Sequence, residues 1–229
     1  MSNKLTIPCA TKVRTLDTHN QHIAFIASND TNNYDTLLLG DSLFESISVC
    51  NVDKSDIASW LNCSVGGDGV QHLLYRMFHA EPCLKQVLKD FSNFKTIVFL
   101  IGTNNTYNKD NANNIYEGII NLIDKIKECC NARLIVLAIP PRTHTSLSEK
   151  ENNKKREIIT QNIITCNILL KSNADKNNYE YYDVTYDFAT TVNNKFEIIH
   201  DYYIDDVHFN DNSYEIILNR MNKIINNNQ

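Results

Sequence analysis

The chain lacks the features that would put it in a membrane or on nucleic acid. No apolar run approaches the roughly 20 residues that cross a bilayer, so no stable membrane insertion is expected. The opening stretch "MSNKLTIPCATKVRTLDTHN" has no apolar core of a secretory signal. Basic charge is not in surplus: 22 Lys and Arg face 27 Asp and Glu, for a net charge of −5. No basic stripe stands out, which argues against a nucleic-acid partner. The seven cysteines form no C-x-x-C pair. An odd number without that spacing fits neither a disulfide framework nor a zinc ribbon and reads as buried thiols in a reducing compartment. Neither G-x-x-x-x-G-K-[ST] nor G-x-G-x-x-G occurs, which removes the commonest nucleotide-binding readings. No internal repeat or long linker divides the chain. A cytoplasmic globular protein with a single domain over residues 1–229 is the expectation.

What is present is an alternation of two periodicities. Apolar, β-branched runs at 35–40, 95–102 and 133–141 read as buried strands. A weaker strand is expected within 58–65, and a fifth strand at 179–185. Between them, residues 68–78 place Val70, Leu73, Leu74 and Met77 on one helical face, and 112–130 does the same with Ile115, Ile119, Leu122, Ile123 and Ile126. Further helices are expected at 16–28, 149–172 and 211–225. Clusters of asparagine are assigned to turns and surface. Strands alternating with helices imply βαβ units, hence a parallel sheet covered on both faces. In such sheets the functional groups gather beyond the C-terminal ends of the strands.

The residues that follow those strands are chemically suggestive. "LLLGDSLFES" (37–46) ends a strand on Gly-Asp-Ser and begins a helix expected at 43–49. Ser42 there is either a nucleophile or a helix cap. The G-x-S-x-G elbow is not met, because Phe44 stands at the second glycine position. Of seven histidines, His208 has an acid three residues before it in a turn-rich stretch, Asp205 in "DDVH". That spacing lets one loop present both groups, the carboxylate fixing the imidazole tautomer while the other ring nitrogen takes a serine proton. Asp206 competes for the acid's place, and His200–Asp201 reads as surface. Gly67 in "VGGDG" and Asn104 in "GTNN" are candidate oxyanion donors, as is the N–H of Ser42, with Asn105 the alternative to Asn104. Each feature alone is explained by a turn or a cap. All four in this order, each at a strand end or in the final loop, are not.

At these residues the chain resembles the GDSL, or SGNH, hydrolase family. The four blocks are "GDSL" (40–43), "NCSVGGDG" (62–69), "IGTNN" (101–105) and "DDVHFN" (205–210). The stretches "THNQHIAFIASNDTNNYDTLLLGDSL", "VGGDGVQHLLYRM" and "FLIGTNNTYN" resemble one branch, the catalytic subunits of intracellular platelet-activating-factor acetylhydrolase. The resemblance implies a three-layer α/β/α fold with a central, mainly parallel five-stranded sheet of flavodoxin-like type. It implies Ser42 as nucleophile, His208 as base, Asp205 as its orienter, and an oxyanion hole from the Ser42 and Gly67 N–H groups and the Asn104 amide. Asn105 replaces the family's frequent Asp, as it does in that branch, and Ser213 stands where many relatives have Gly. Residues 79–94 and 142–156 carry less of the likeness.

The resemblance implies a short-chain, acetyl-preferring serine esterase that uses no cofactor and no metal, acting on a small acyl ester such as a phospholipid or an acetylated sugar. It also implies a homodimer. Within the same fold the alternatives are a carbohydrate O-acetylesterase and a lysophospholipase. A non-catalytic binding protein would have no need of Ser42, Gly67, Asn104, Asp205 and His208 together. A cysteine enzyme is disfavoured because no cysteine follows a strand beside a histidine.

Overall fold

The computed structural model describes residues 3–10, 12–108, 110–142, 149–192 and 195–226. Five strands, β1 (Thr36–Gly40), β2 (Trp60–Asn62), β3 (Thr96–Leu100), β4 (Arg133–Leu137) and β5 (Glu180–Tyr182), form one sheet in the order β2-β1-β3-β4-β5. Every pairing in it is parallel. The helices are α1 (Val13–Ser28), α2 (Ser42–Glu45), α3 (Val70–Phe78), α4 (Leu84–Val87), α5 (Thr103–Tyr107), α6 (Ala112–Lys127), α7 (Glu149–Ser172) and α8 (Asp211–Asn226).

Alternate side chains of a strand point to opposite faces, and in β1, β3 and β4 both faces are covered, so these three read as apolar runs. Leu37, Leu39, Ile97, Phe99, Leu134 and Val136 pack against α1, α3, α6 and α7. Leu38, Val98, Leu100, Ile135 and Leu137 pack against α2 and α8. The result is the expected three-layer α/β/α arrangement, with a sheet that is wholly rather than mainly parallel.

The helical stripes are buried as their spacing requires. Val70, Leu73, Leu74 and Met77 of α3 and the five apolar residues of α6 are all closed to solvent. The strong strands are shorter at their ends than their apolar runs, and β2 takes up three residues within 58–65. The helix expected at 43–49 is one α-turn followed by a 3₁₀ turn, Ser46–Ser48. A two-stranded antiparallel ribbon, β6 (Ala189–Val192) with β7 (Lys195–Ile198), lies outside the main sheet and was not expected. Among the described residues no helix is long and apolar enough to cross a membrane.

Candidate active site

β1 is a central strand, and the chain turns sharply where it ends. Gly40 pairs with Leu100 of β3. A Cβ at Gly40 would lie 2.4 Å from the Leu100 carbonyl oxygen, so only glycine fits there. Asp41 then caps α2, its Oδ1 accepting from the Leu43 N–H at 3.1 Å. Ser42 is the first residue of that helix. Asp41 is closed to solvent, and its Oδ2 has no partner among the described residues. Burial pushes its carboxyl up to about 7, against the pull of the Leu43 N–H and Arg142.

The second half of the site comes from the loop between residues 203 and 209. An antiparallel bridge between Tyr203 and Phe209 pinches this loop at its base. Tyr203 donates its hydroxyl to the Pro141 carbonyl at 2.9 Å. Phe209 packs edge-on against Phe188 and Tyr214. The Tyr214 hydroxyl in turn donates to the Leu43 carbonyl at 2.9 Å, tying α8 to α2. Aromatic packing and two buried hydroxyls therefore fix the loop against the turn that carries Ser42.

Within that frame His208 Nε2 lies 2.9 Å from Ser42 Oγ, and His208 Nδ1 lies 2.7 Å from Asp205 Oδ2. The other oxygen of Asp205 accepts the N–H groups of Val207 and His208, both at 2.7 Å. Partial burial raises the Asp205 carboxyl, but the imidazole and the two backbone donors outweigh it and hold it below the usual carboxylate range. Side-chain exposures of 51% for Asp205 and 34% for His208 leave the pair open to solvent from one side. Of the alternatives open in the sequence, Asp206 does not take this position, and His200 and Asp201 are exposed in a short 3₁₀ turn.

Gly67 has a φ of +85°, a backbone conformation that glycine adopts freely. It sits in the turn closed by the Asp68 N–H on the Val65 carbonyl. Asn104 donates one amide hydrogen to the Asp68 carbonyl at 2.8 Å, which leaves its second for another acceptor. Asn105 is engaged differently. It is fully buried, accepts from the Val70 N–H, and donates to Gln71 and Asp110. It fastens the start of α3 to α5, so of the two asparagines Asn104 is the one with a donor to spare. Among the described residues no group of three or more His, Cys, Asp or Glu is arranged to hold a metal ion.

Three features escaped sequence reasoning. Arg142 is buried beyond β4, donates to the Thr103 carbonyl at 3.2 Å and lies over the Tyr107 ring. Asn62 donates to the Phe44 carbonyl at 2.6 Å and braces α2 from β2. Arg76 pairs with Asp68 at 2.6 Å with both side chains closed to solvent. A signal for Arg76 existed: it falls on the apolar stripe of α3, beside Met77 and three residues after Leu73.

The model of the GDSL-like lipase/acylhydrolase family matches residues 38–216. The chain belongs to that family. Over 142 residues it is 26% identical to platelet-activating factor acetylhydrolase IB subunit alpha1 of Rattus norvegicus. That stretch is 60% of this chain and 57% of the rat protein, so the alignment spans little more than half of that relative. Among solved structures, a putative acylhydrolase from Bacteroides fragilis superposes with a TM-score of 0.75 at 18% identity, covering 95% of this chain and 99% of that one. A carbohydrate acetylesterase from Sinorhizobium meliloti superposes with a TM-score of 0.57 at 14% identity, over 84% of this chain and 98% of that one. At these identities the two structures share the fold of the GDSL chain.

Proposed function

We propose that the protein is a serine esterase that transfers short acyl groups, acetyl foremost, from an ester to water. The observation that carries this reading is the position of His208, bridging Ser42 Oγ at 2.9 Å and Asp205 Oδ2 at 2.7 Å. Both distances are within reach of proton transfer. Ser42 Oγ attacks the ester carbonyl as His208 Nε2 takes its proton. Asp205 accepts from Nδ1–H, which fixes the tautomer and stabilises the imidazolium that forms. The developing oxyanion is received by the N–H groups of Ser42 and Gly67 and by the free amide hydrogen of Asn104. His208 then protonates the departing alcohol, leaving an acyl ester on Ser42. Water, deprotonated by the same nitrogen, attacks that ester and releases the acid and the free serine.

The substrate class follows from the relatives' names rather than from the site: one acts on platelet-activating factor, and one neighbour of the same fold is a carbohydrate acetylesterase. We assign an acetylated phospholipid first, because the relative aligned in sequence is the acetylhydrolase subunit. A homodimer belongs to the same reading. Hydrolysis of p-nitrophenyl esters from acetyl to dodecanoyl, beside an acetyl phospholipid and an acetylated sugar, tests it. The expected profile falls steeply beyond short acyl chains and favours the phospholipid. A preference for long chains, or for the sugar, would overturn the substrate assignment, and no ester hydrolysis at all would overturn the function.

A further inference from the structure

Arg76 and Asp68 form an ion pair with no solvent access on either side chain, at 2.6 Å. Removing two charges from water is costly, and well-packed apolar residues of similar size are commonly as stable in such a place. The helix that carries Arg76 does not need it for burial, since Val70, Leu73, Leu74 and Met77 already fill the core face of α3. The pair therefore calls for an explanation beyond stability.

Its connections supply one. Arg76 sits two turns into α3 and reaches back to the loop that precedes its own helix. Nε holds Asp68 Oδ2, and Nη1 donates to the Cys63 carbonyl at 3.0 Å, at the end of β2. One guanidinium thus grips both ends of the 63–68 segment, whose backbone turns through Gly67. The Asp68 carbonyl then accepts the Asn104 amide at 2.8 Å. Asp68 is joined by its side chain to α3, by its N–H to Val65, by its peptide to Gly67 and by its carbonyl to Asn104.

We propose that Arg76 is a positioning residue for the oxyanion hole. Through Asp68 it sets the Gly67 N–H and the Asn104 amide in register with each other and with Ser42. This rests on the esterase reading above. Neither Arg76 nor Asp68 touches substrate. Their effect is on where two donors from different strand ends stand when negative charge develops, and displacements of about an ångström cost roughly 10²-fold in rate. The guanidinium geometry matters, because its fork reaches a carboxylate and a carbonyl at once, which the point charge of a lysine does not reproduce.

The test is a double-mutant cycle between Arg76→Gln and Asn104→Ala, read as kcat and KM on p-nitrophenyl acetate with Tm measured in parallel. Arg76→Gln should lower kcat about 10- to 100-fold, less than the loss of a whole donor, with KM within about twofold. In the Asn104→Ala background the same change should cost less than a third of its effect on kcat in the wild type, because one of the two donors it aligns is already gone. If Arg76→Gln does not fold, Arg76→Lys and Asp68→Asn replace it in the cycle. Costs that multiply independently in the two backgrounds, or a folded variant with unchanged kcat, would overturn the proposal. Failure of the esterase reading is distinguishable, since it appears as wild-type protein without hydrolysis, or hydrolysis that survives Ser42→Ala.

Discussion

Replacing Asp41 by Asn swaps a buried carboxyl for a neutral amide of nearly the same shape. The amide oxygen can still accept from the Leu43 N–H, so the cap on α2 is kept. What is removed is the titration. In the folded protein the carboxyl is pushed from 3.8 up to about 7, mainly by burial. The unfolded chain releases its proton near the ordinary value, about 4. Between about pH 4 and pH 7 the unfolded chain therefore binds fewer protons than the folded one, and stability falls as the pH rises. The loss is absent below the lower value and complete above the higher. Carried through, a move from 3.8 to about 7 is on the order of 4 kcal/mol. Urea unfolding at pH 4.5 and pH 8, followed by the single buried tryptophan, Trp60, reads it directly. Relative to wild type, Asp41→Asn should gain stability at the higher pH and little at the lower. Asp41→Ala, which loses the cap as well, should be about 1 kcal/mol less stable than Asp41→Asn at both. Equal pH dependence in wild type and Asp41→Asn would mean that Asp41 ionises at its ordinary pKa inside the fold, contrary to its burial.

Other changes have definite expectations. Asn104→Ala should cost roughly 10²–10³-fold in kcat on short esters, whereas a silent Asn104→Ala would remove this side chain from the oxyanion assignment. Asp205→Asn should lower kcat on the order of 10⁴-fold by favouring the wrong tautomer of His208, with the fold intact by circular dichroism. Ile119→Ala opens a cavity under α6, where Ile119 is closed to solvent. Chemical denaturation should show a loss of about 2–5 kcal/mol, and a loss under 1 kcal/mol would mean the site collapses around the gap.

The parts of the fold that were legible in the sequence are those with enough residues to show a period. α3, α6, α7 and α8 carry stripes several turns long, and β1, β3 and β4 are apolar on both faces because both are covered. The ends were less legible. β2 keeps only Trp60–Asn62 because it is an edge strand paired on one side, over three residues of β1. α4, α5 and the 3₁₀ turns are too short for periodicity to register. The β6–β7 ribbon went unread because its strands are four residues each and pair only with each other.

The candidate site divides along similar lines. Ser42, Gly67, Asn104, Asp205 and His208 lie at strand ends or in the last loop, where a short run of residues carries its own meaning. Arg142 was not legible, and Arg76 showed only as a charge on the apolar stripe of α3, because the role of each depends on partners outside its own helix or strand. Cys63 and Asp68 are 13 and 8 residues from Arg76, and Thr103 is 39 from Arg142. The part of 142–156 that falls at 143–148 lies outside the described residues. Ser213, which departs from the family's frequent Gly, is buried and donates to the Tyr202 carbonyl at 2.7 Å, fastening α8 to the loop of His208.

Everything in the proposed chemistry depends on Ser42 being the nucleophile. The most direct test is incubation of the purified protein with a fluorophosphonate, followed by intact mass and peptide mapping. One adduct per chain is expected, on the peptide containing Ser42. It should be absent from Ser42→Ala and formed far more slowly by His208→Ala. An unlabelled protein, or an adduct on a cysteine or on another serine, would contradict that role.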